Sequence, residues 1–109
     1  MLQPELHYLC RTDEVPASGL RAVKAPGYEP LAVCRVGQGF YLIADTCTHG
    51  MASLSEGEVV DGQVCCPFHG GSFDPRTGAA TGIPCVVPLN TYPLIRRGEE
   101  LFVAARAAG

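Results

Sequence analysis

The sequence predicts an all-β domain of short strands, and three observations carry that prediction. Glycine (13) and proline (9) punctuate its 109 residues every few positions. No window sustains a 3.6-residue apolar period for three turns, so an amphipathic helix has no support. The apolar residues instead form short β-type runs, several separated by turn dipeptides, the pattern of a sandwich or barrel-like domain.

In chain order, the predicted strands are Leu6–Cys10, Leu20–Lys24, Leu31–Val36, Phe40–Ala44, Glu58–Val60, Gln63–Cys66, Thr91–Arg96 and Leu101–Ala104. Val36-Gly37-Gln38-Gly39 joins the third to the fourth, Asp61-Gly62 has the composition of a type I′ turn, and Arg97-Gly98 closes the last pair. Between about Thr46 and Pro84 the chain is richer in Gly, Cys, His and Pro and repeatedly breaks alternation. We read it as a loop-dominated insertion standing on a β base. Ala104–Gly109 reads as a frayed tail of small residues.

Length allows one domain rather than two. Hydrophobic residues make up 47% and charged residues 17%, with a formal net charge of −3, which excludes disorder and offers nothing to nucleic acid or anionic lipid. No apolar run is long enough to span a bilayer as a helix. The start, Met1-Leu2-Gln3-Pro4-Glu5, lacks the basic and apolar regions of a secretory signal, so a cytoplasmic location is expected. In that compartment the six cysteines read as metal ligands or packing residues rather than a disulfide framework.

Two of them carry chemistry. Cys47-Thr48-His49 and Cys66-Pro67-Phe68-His69 each pair a thiol with an imidazole. Both donors of a pair reach one site only if the backbone leaves strand geometry, and Gly50 and Gly70-Gly71 follow the two histidines. Such a donor set suits tetrahedral zinc or a dinuclear iron–sulfur cluster. Zinc ribbons and fingers pair like with like along the chain. Here each loop supplies one donor of each kind, an order that sorts by iron in a dinuclear cluster, two Cys on one iron and two His on the other.

Cys47–Ala52 (C-T-H-G-M-A) and Cys66–Asp74 (C-P-F-H-G-G-S-F-D) resemble the two ligand boxes of the Rieske family. Leu54-Ser55-Glu56-Gly57, Arg76-Thr77-Gly78 and Tyr92-Pro93 extend the resemblance to the small ferredoxins of bacterial ring-hydroxylating dioxygenase systems, over about Val33 to Val103. The resemblance implies a single domain over 1–109, with three stacked antiparallel sheets and a loop-rich cluster-binding subdomain at about 46–84 on a base formed by 1–45 and 85–104. It implies one [2Fe–2S] cluster per chain on Cys47, His49, Cys66 and His69, with the histidines near solvent and Thr81-Gly82-Ile83-Pro84 covering the other side. It also implies a soluble one-electron carrier, reduced by a flavin-dependent ferredoxin reductase and oxidised by a terminal Rieske oxygenase. The alternative is a small Rieske-like subunit of another redox complex, such as assimilatory nitrite reductase.

Charge counting gives a redox expectation. Two thiolates and two neutral imidazoles leave the oxidised cluster formally neutral, which eases its reduction relative to four thiolates. By the same resemblance, respiratory members carry hydroxyl donors two and four residues after the second histidine, and a disulfide between the boxes. Here Gly71 and Phe73 stand at the hydroxyl positions, and Met51 or Ala52 and Phe68 at the disulfide positions, so the low end of the Rieske range is expected.

The remaining candidates read as structural. Cys10, Cys34, Cys65 and Cys85 are expected to be small buried hydrophobes, with Cys65 facing away from its neighbour Cys66. His7 is an ordinary strand histidine. Glu56, Glu58 and Asp61 form a solvated loop and hairpin, and Arg76-Thr77-Gly78 a turn. Catalysis by the chain itself is excluded by arithmetic. A mononuclear iron site needs two further histidines, but the chain has three and the cluster takes two. No G-x-G-x-x-G is present for a nicotinamide or flavin dinucleotide.

Overall fold

The computed structural model describes residues 5–48, 50, 52–68, 70–83 and 85–106. Its strands are β1 (Leu6–Arg11), β2 (Leu20–Val23), β3 (Leu31–Val36), β4 (Gly39–Ala44), β5 (Glu58–Val60), β6 (Gln63–Cys65), β7 (Ser72–Phe73), β8 (Ala80–Gly82), β9 (Thr91–Tyr92), β10 (Ile95–Arg97) and β11 (Glu100–Ala104). They form three antiparallel sheets: a base sheet β1-β11-β10, a central sheet β2-β3-β4-β9, and a site sheet β5-β6-β7-β8. Among the described residues, no helix is long and apolar enough to cross a membrane.

The central sheet is a partition, and β3 shows why. A strand with one solvated face alternates apolar and polar residues, yet Leu31, Ala32, Val33 and Cys34 are all buried, because both faces of β3 are covered. Ala32 and Cys34 join Leu20 and Ile43 in a core shared with Leu54, Val64 and Phe73 of the site half. Leu31 and Val33 join Val23 and Leu42 in a second core with Leu101 and Val103 of the base sheet. Register agrees with this division, since Leu20 lies opposite Cys34 and Ala32 opposite Ile43, whereas Val23 lies opposite Leu31 and Val33 opposite Leu42.

The hairpins form where the sequence places them. Val60 pairs with Gln63 across Asp61 (φ 51°) and Gly62 (φ 77°), both left-handed as a type I′ turn requires. Gly37 (φ 59°) and Gly98 (φ 62°) each supply the single left-handed residue that begins the β3–β4 and β10–β11 turns.

Three expectations need correction, and one needs extending. Thr91–Arg96 is not one strand. Pro93 lacks the N–H a ladder needs, so the run splits into β9, which pairs with β4, and β10, which pairs with β11. The segment therefore stitches the central sheet to the base sheet. The sixth strand ends at Cys65, and Cys66 begins a loop. The stretch from Thr46 to Pro84 is loop-rich as expected, and beyond the two expected strands it contains β7 and β8, which complete the site sheet. The side chain of Phe73 is fully buried, and at roughly 3 kcal/mol for such a side chain it outweighs the few ladder bonds a two-residue strand can make. Finally, the tail is held through Arg106. Ala105 N–H donates to the Glu5 carbonyl at 2.8 Å, and the Arg106 guanidinium lies 4.1 Å from the Tyr28 ring centre and 5.1 Å from that of Tyr92.

Candidate metal centre

Two loops rise from strand ends, and each begins at one of the cysteines singled out above. The first leaves β4 through Asp45 and Thr46, and the second leaves β6 at Cys66. Both close in the same way. Cys47 N–H donates to the Ala52 carbonyl at 2.9 Å, and Cys66 N–H donates to the Gly71 carbonyl at 2.7 Å, in each case five residues ahead. A bridge between Thr46 and Ser53 extends the first closure. A third segment, after β8, is turned by the Cys85 N–H donating to the Gly82 carbonyl at 3.0 Å.

Asp45 anchors the first loop from below. It is buried, and its carboxylate accepts from Ser55 N–H at 2.7 Å and Ser55 Oγ at 2.9 Å. Its backbone carbonyl accepts from Leu54 N–H at 2.6 Å and its N–H donates to Pro30. One residue thus ties the start and the return of the loop to the central sheet. On the solvent side, Thr48 Oγ1 donates to the Val87 carbonyl at 2.6 Å, so the first and third segments are joined.

The Cys47 and Cys66 side chains are buried in the core shared by the central and site sheets. His49 and His69, along with Met51 and Pro84, lie outside the described residues. The sequence places the histidines two and three positions beyond their cysteines, within the same closed loops. Among the described residues there is no group of three or more His, Cys, Asp or Glu side chains that could hold a metal ion. Buried sulfurs at the roots of two loops, with an imidazole on each loop, make a donor set suited to a [2Fe–2S] cluster of mixed ligation.

The other cysteines divide unevenly. All six lie within the described residues, and none forms a disulfide. Cys10 and Cys34 are buried packing residues, and burial pushes the Cys34 thiol up to about 12. Cys65 stands opposite Glu58, on the other side of the strand from Val64, and is half-buried rather than fully buried as expected. Burial, then the Glu58 charge, raises its thiol above the ordinary value. Cys85 is buried as expected, but in a place the sequence did not indicate: its Sγ lies 3.8 Å from Cys47 Sγ. Burial pushes its thiol up to about 12, reinforced by Cys47 and by charge on Cys66.

The acidic residues Glu56, Glu58 and Asp61 are exposed, as a solvated loop and hairpin require. Arg76 belongs to a turn in which Gly78 N–H donates to the Asp74 carbonyl at 2.7 Å, and its guanidinium pairs with Asp74 at 3.3 Å. Its terminal nitrogen lies 3.8 Å from where a Cβ on Gly62 would stand, at the tip of the β5–β6 hairpin and away from the cysteine end of those strands. His7 sits half-buried on β1, on the base sheet.

What sequence reasoning missed is the apolar rim. Phe68 is 68% exposed, Ile83 83%, Val86 72% and Val87 55%, large apolar side chains held in water on the second and third segments. Solvated singles are ordinary, but four on the second and third segments make a candidate contact surface.

Comparison with known proteins agrees with the geometry. Residues 5–93 match the Rieske [2Fe-2S] domain. The chain is 46% identical over 97 residues to ferredoxin CarAc of Metapseudomonas resinovorans, covering 88% of this chain and 90% of that one. It is 43% identical over 96 residues to the ferredoxin component of the p-cumate 2,3-dioxygenase system of Pseudomonas putida, covering 87% and 81%. Among solved structures, a complex of reduced oxygenase and oxidized ferredoxin in carbazole 1,9a-dioxygenase contains a chain that superposes with a TM-score of 0.82 at 40% identity, covering 95% of this chain and 97% of that one. With the family match spanning most of the chain and relatives this similar along nearly their whole length, this chain belongs to the Rieske [2Fe-2S] family.

Proposed function

We propose that the chain is the ferredoxin component of an aromatic-ring dioxygenase system, a one-electron carrier between a flavin-dependent ferredoxin reductase and a terminal Rieske oxygenase. The whole of 1–109 acts as one domain, with a cluster-binding part at about 46–84 standing on 1–45 and 85–104. A cytoplasmic location suits this role. The cluster, held by Cys47, Cys66, His49 and His69, supplies reversible storage of one electron.

The protein's own residues do the rest. Burial of the Cys47 and Cys66 side chains keeps water from the sulfur end of the site. The two loop-closing hydrogen bonds fix the shape of each loop, so docking need not rebuild them. Phe68, Ile83, Val86 and Val87 offer an apolar face around the loop tips. That rim is the observation that carries the proposal, because a carrier must bring its site within reach of two partners in turn and leave each quickly. Four side chains on loop tips make a small face, and small interfaces are where brief electron-transfer encounters sit, whereas permanent assemblies bury larger apolar surfaces. The likeness to dioxygenase ferredoxins supports the same reading.

The test is an anaerobic spectrum with iron and acid-labile sulfide counted on the same sample. About two irons and two sulfides per chain, with a Rieske-type EPR signal on reduction, are expected. His49→Ala or His69→Ala should abolish the signal, while Cys65→Ser should keep it. A colourless protein holding one zinc, or loss of iron in Cys65→Ser, would overturn the reading.

A further inference from the structure

The thiol of Cys85 has no part in the ligand set, yet three facts put it at the site. It is buried in the same core as Cys47 and Cys66. Its sulfur lies 3.8 Å from Cys47 Sγ, within reach of a hydrogen bond between sulfurs. It also fills the space beside Gly71, where an added Cβ would come within 2.3 Å of Cys85 Sγ. Residue 71 therefore cannot carry a side chain of its own unless Cys85 moves, and the third segment supplies the side chain for that place.

We propose that Cys85 is a positioning residue for the cluster, whose S–H donates a hydrogen bond to the Cys47 sulfur and draws the reduction equilibrium toward the reduced state. The direction of donation follows from the proposed ligand role of Cys47, on which this inference rests. A ligating cysteine is a thiolate and can only accept, which leaves Cys85 as donor. Donation withdraws electron density from the ligand sulfur, and a cluster with less negative sulfurs is more easily reduced. By sequence, residue 71 supplies no donor, because it is a glycine. The structure brings one to the same place from 14 residues further along the chain (85 − 71).

The experiment is an EPR-monitored redox titration of the intact protein and four variants, with pulsed EPR of the reduced protein in D2O. Cys85→Ala should lower the equilibrium constant for reduction roughly three- to tenfold, the worth of one modest hydrogen bond. For a one-electron couple that is about 30–60 mV more negative. It should also lose one exchangeable deuteron coupling. Cys85→Ser retains a donor and should recover at least half of the shift. Gly71→Ala leaves Cys85 in the chain but displaces its sulfur, and should shift the equilibrium in the same direction. Adding Cys85→Ala to Gly71→Ala should then change nothing further, because both act on one contact. An unmoved potential and an unchanged deuteron coupling in Cys85→Ala would overturn the proposal, as would additive shifts in the double variant. If the unaltered protein lacks iron and sulfide, the cluster assignment fails as well. If its spectrum is normal and Cys85→Ala is silent, only the role of Cys85 fails.

Discussion

Asp45→Ala is the perturbation that most directly probes how the first loop is held. The carboxylate accepts two hydrogen bonds from Ser55, at 2.7 Å from the backbone N–H and 2.9 Å from the hydroxyl. The first is short and partly buried, and a bond of that kind to a carboxylate contributes roughly 1.5–3 kcal/mol. The second contributes less, about 0.5–1 kcal/mol, because the Ser55 hydroxyl can turn to water. Releasing a desolvated carboxylate returns part of this, so the net loss is about 2–3 kcal/mol. The loss falls locally, on opening of residues 45–55 rather than on the whole domain. If cluster loss proceeds through that opening, its rate rises with the open population, by about 30- to 150-fold. The assay is the half-life of the visible absorbance under argon at fixed temperature. Asp45→Asn keeps an acceptor for the Ser55 N–H and should fall between Asp45→Ala and the unaltered protein. A half-life for Asp45→Ala within threefold of the unaltered protein would refute the reasoning and leave the Thr46–Ser53 bridge as the anchor.

Other outcomes follow from the same geometry. Gly78→Ala places a side chain on a residue at φ 82° and sets its Cβ within 2.2 Å of the Leu89 carbonyl. We expect a loss of about 3 kcal/mol, read as a fall of about 12–24 °C in apparent Tm, and a fall under 4 °C would contradict it. In cluster-free protein treated with oxidised glutathione, the Cys47 and Cys85 sulfurs need only close from 3.8 Å to a bond. The expected product is a Cys47–Cys85 disulfide, seen as a mass lower by two hydrogens and two cysteines protected from alkylation. Full alkylation of all six thiols would count against it. Phe68→Asp should leave thermal stability within about 0.5 kcal/mol, since the ring is largely exposed, yet weaken docking to reductase and oxygenase about tenfold or more in stopped-flow titrations. Unchanged transfer at limiting concentration would remove Phe68 from the docking face.

The parts of this molecule that were legible from sequence are those with local causes. Asp61-Gly62 names its turn because only residues tolerant of positive φ stand there. The paired Cys-x-His and Cys-x-x-His boxes are legible because few chemistries require that order. β7 and β8 were not, because two or three residues carry no measurable alternation, and their strand state comes from Phe73 finding a core made elsewhere. The division of Thr91–Arg96 had a local cause in Pro93 that the β-type residues on either side concealed. Cys85 was legible only as a buried thiol. Its contact with Cys47 spans 38 residues, and no periodicity links such positions. The clue available was Gly71, a missing side chain beside a ligand loop.

The partition formed by the central sheet has a consequence for how the chain can be connected. β1 and β11 are neighbours in the base sheet, and Ala105 N–H reaches the Glu5 carbonyl at 2.8 Å, so the backbone enters and leaves the domain side by side. Both points belong to the half behind the central sheet, whose core includes none of the site cysteines. A linker grafted there would hang from the back of the molecule and leave the loop tips clear. The unit can then be spliced into a longer polypeptide, or circularly permuted by joining these ends and opening the Asp61-Gly62 turn, without rerouting either cysteine loop.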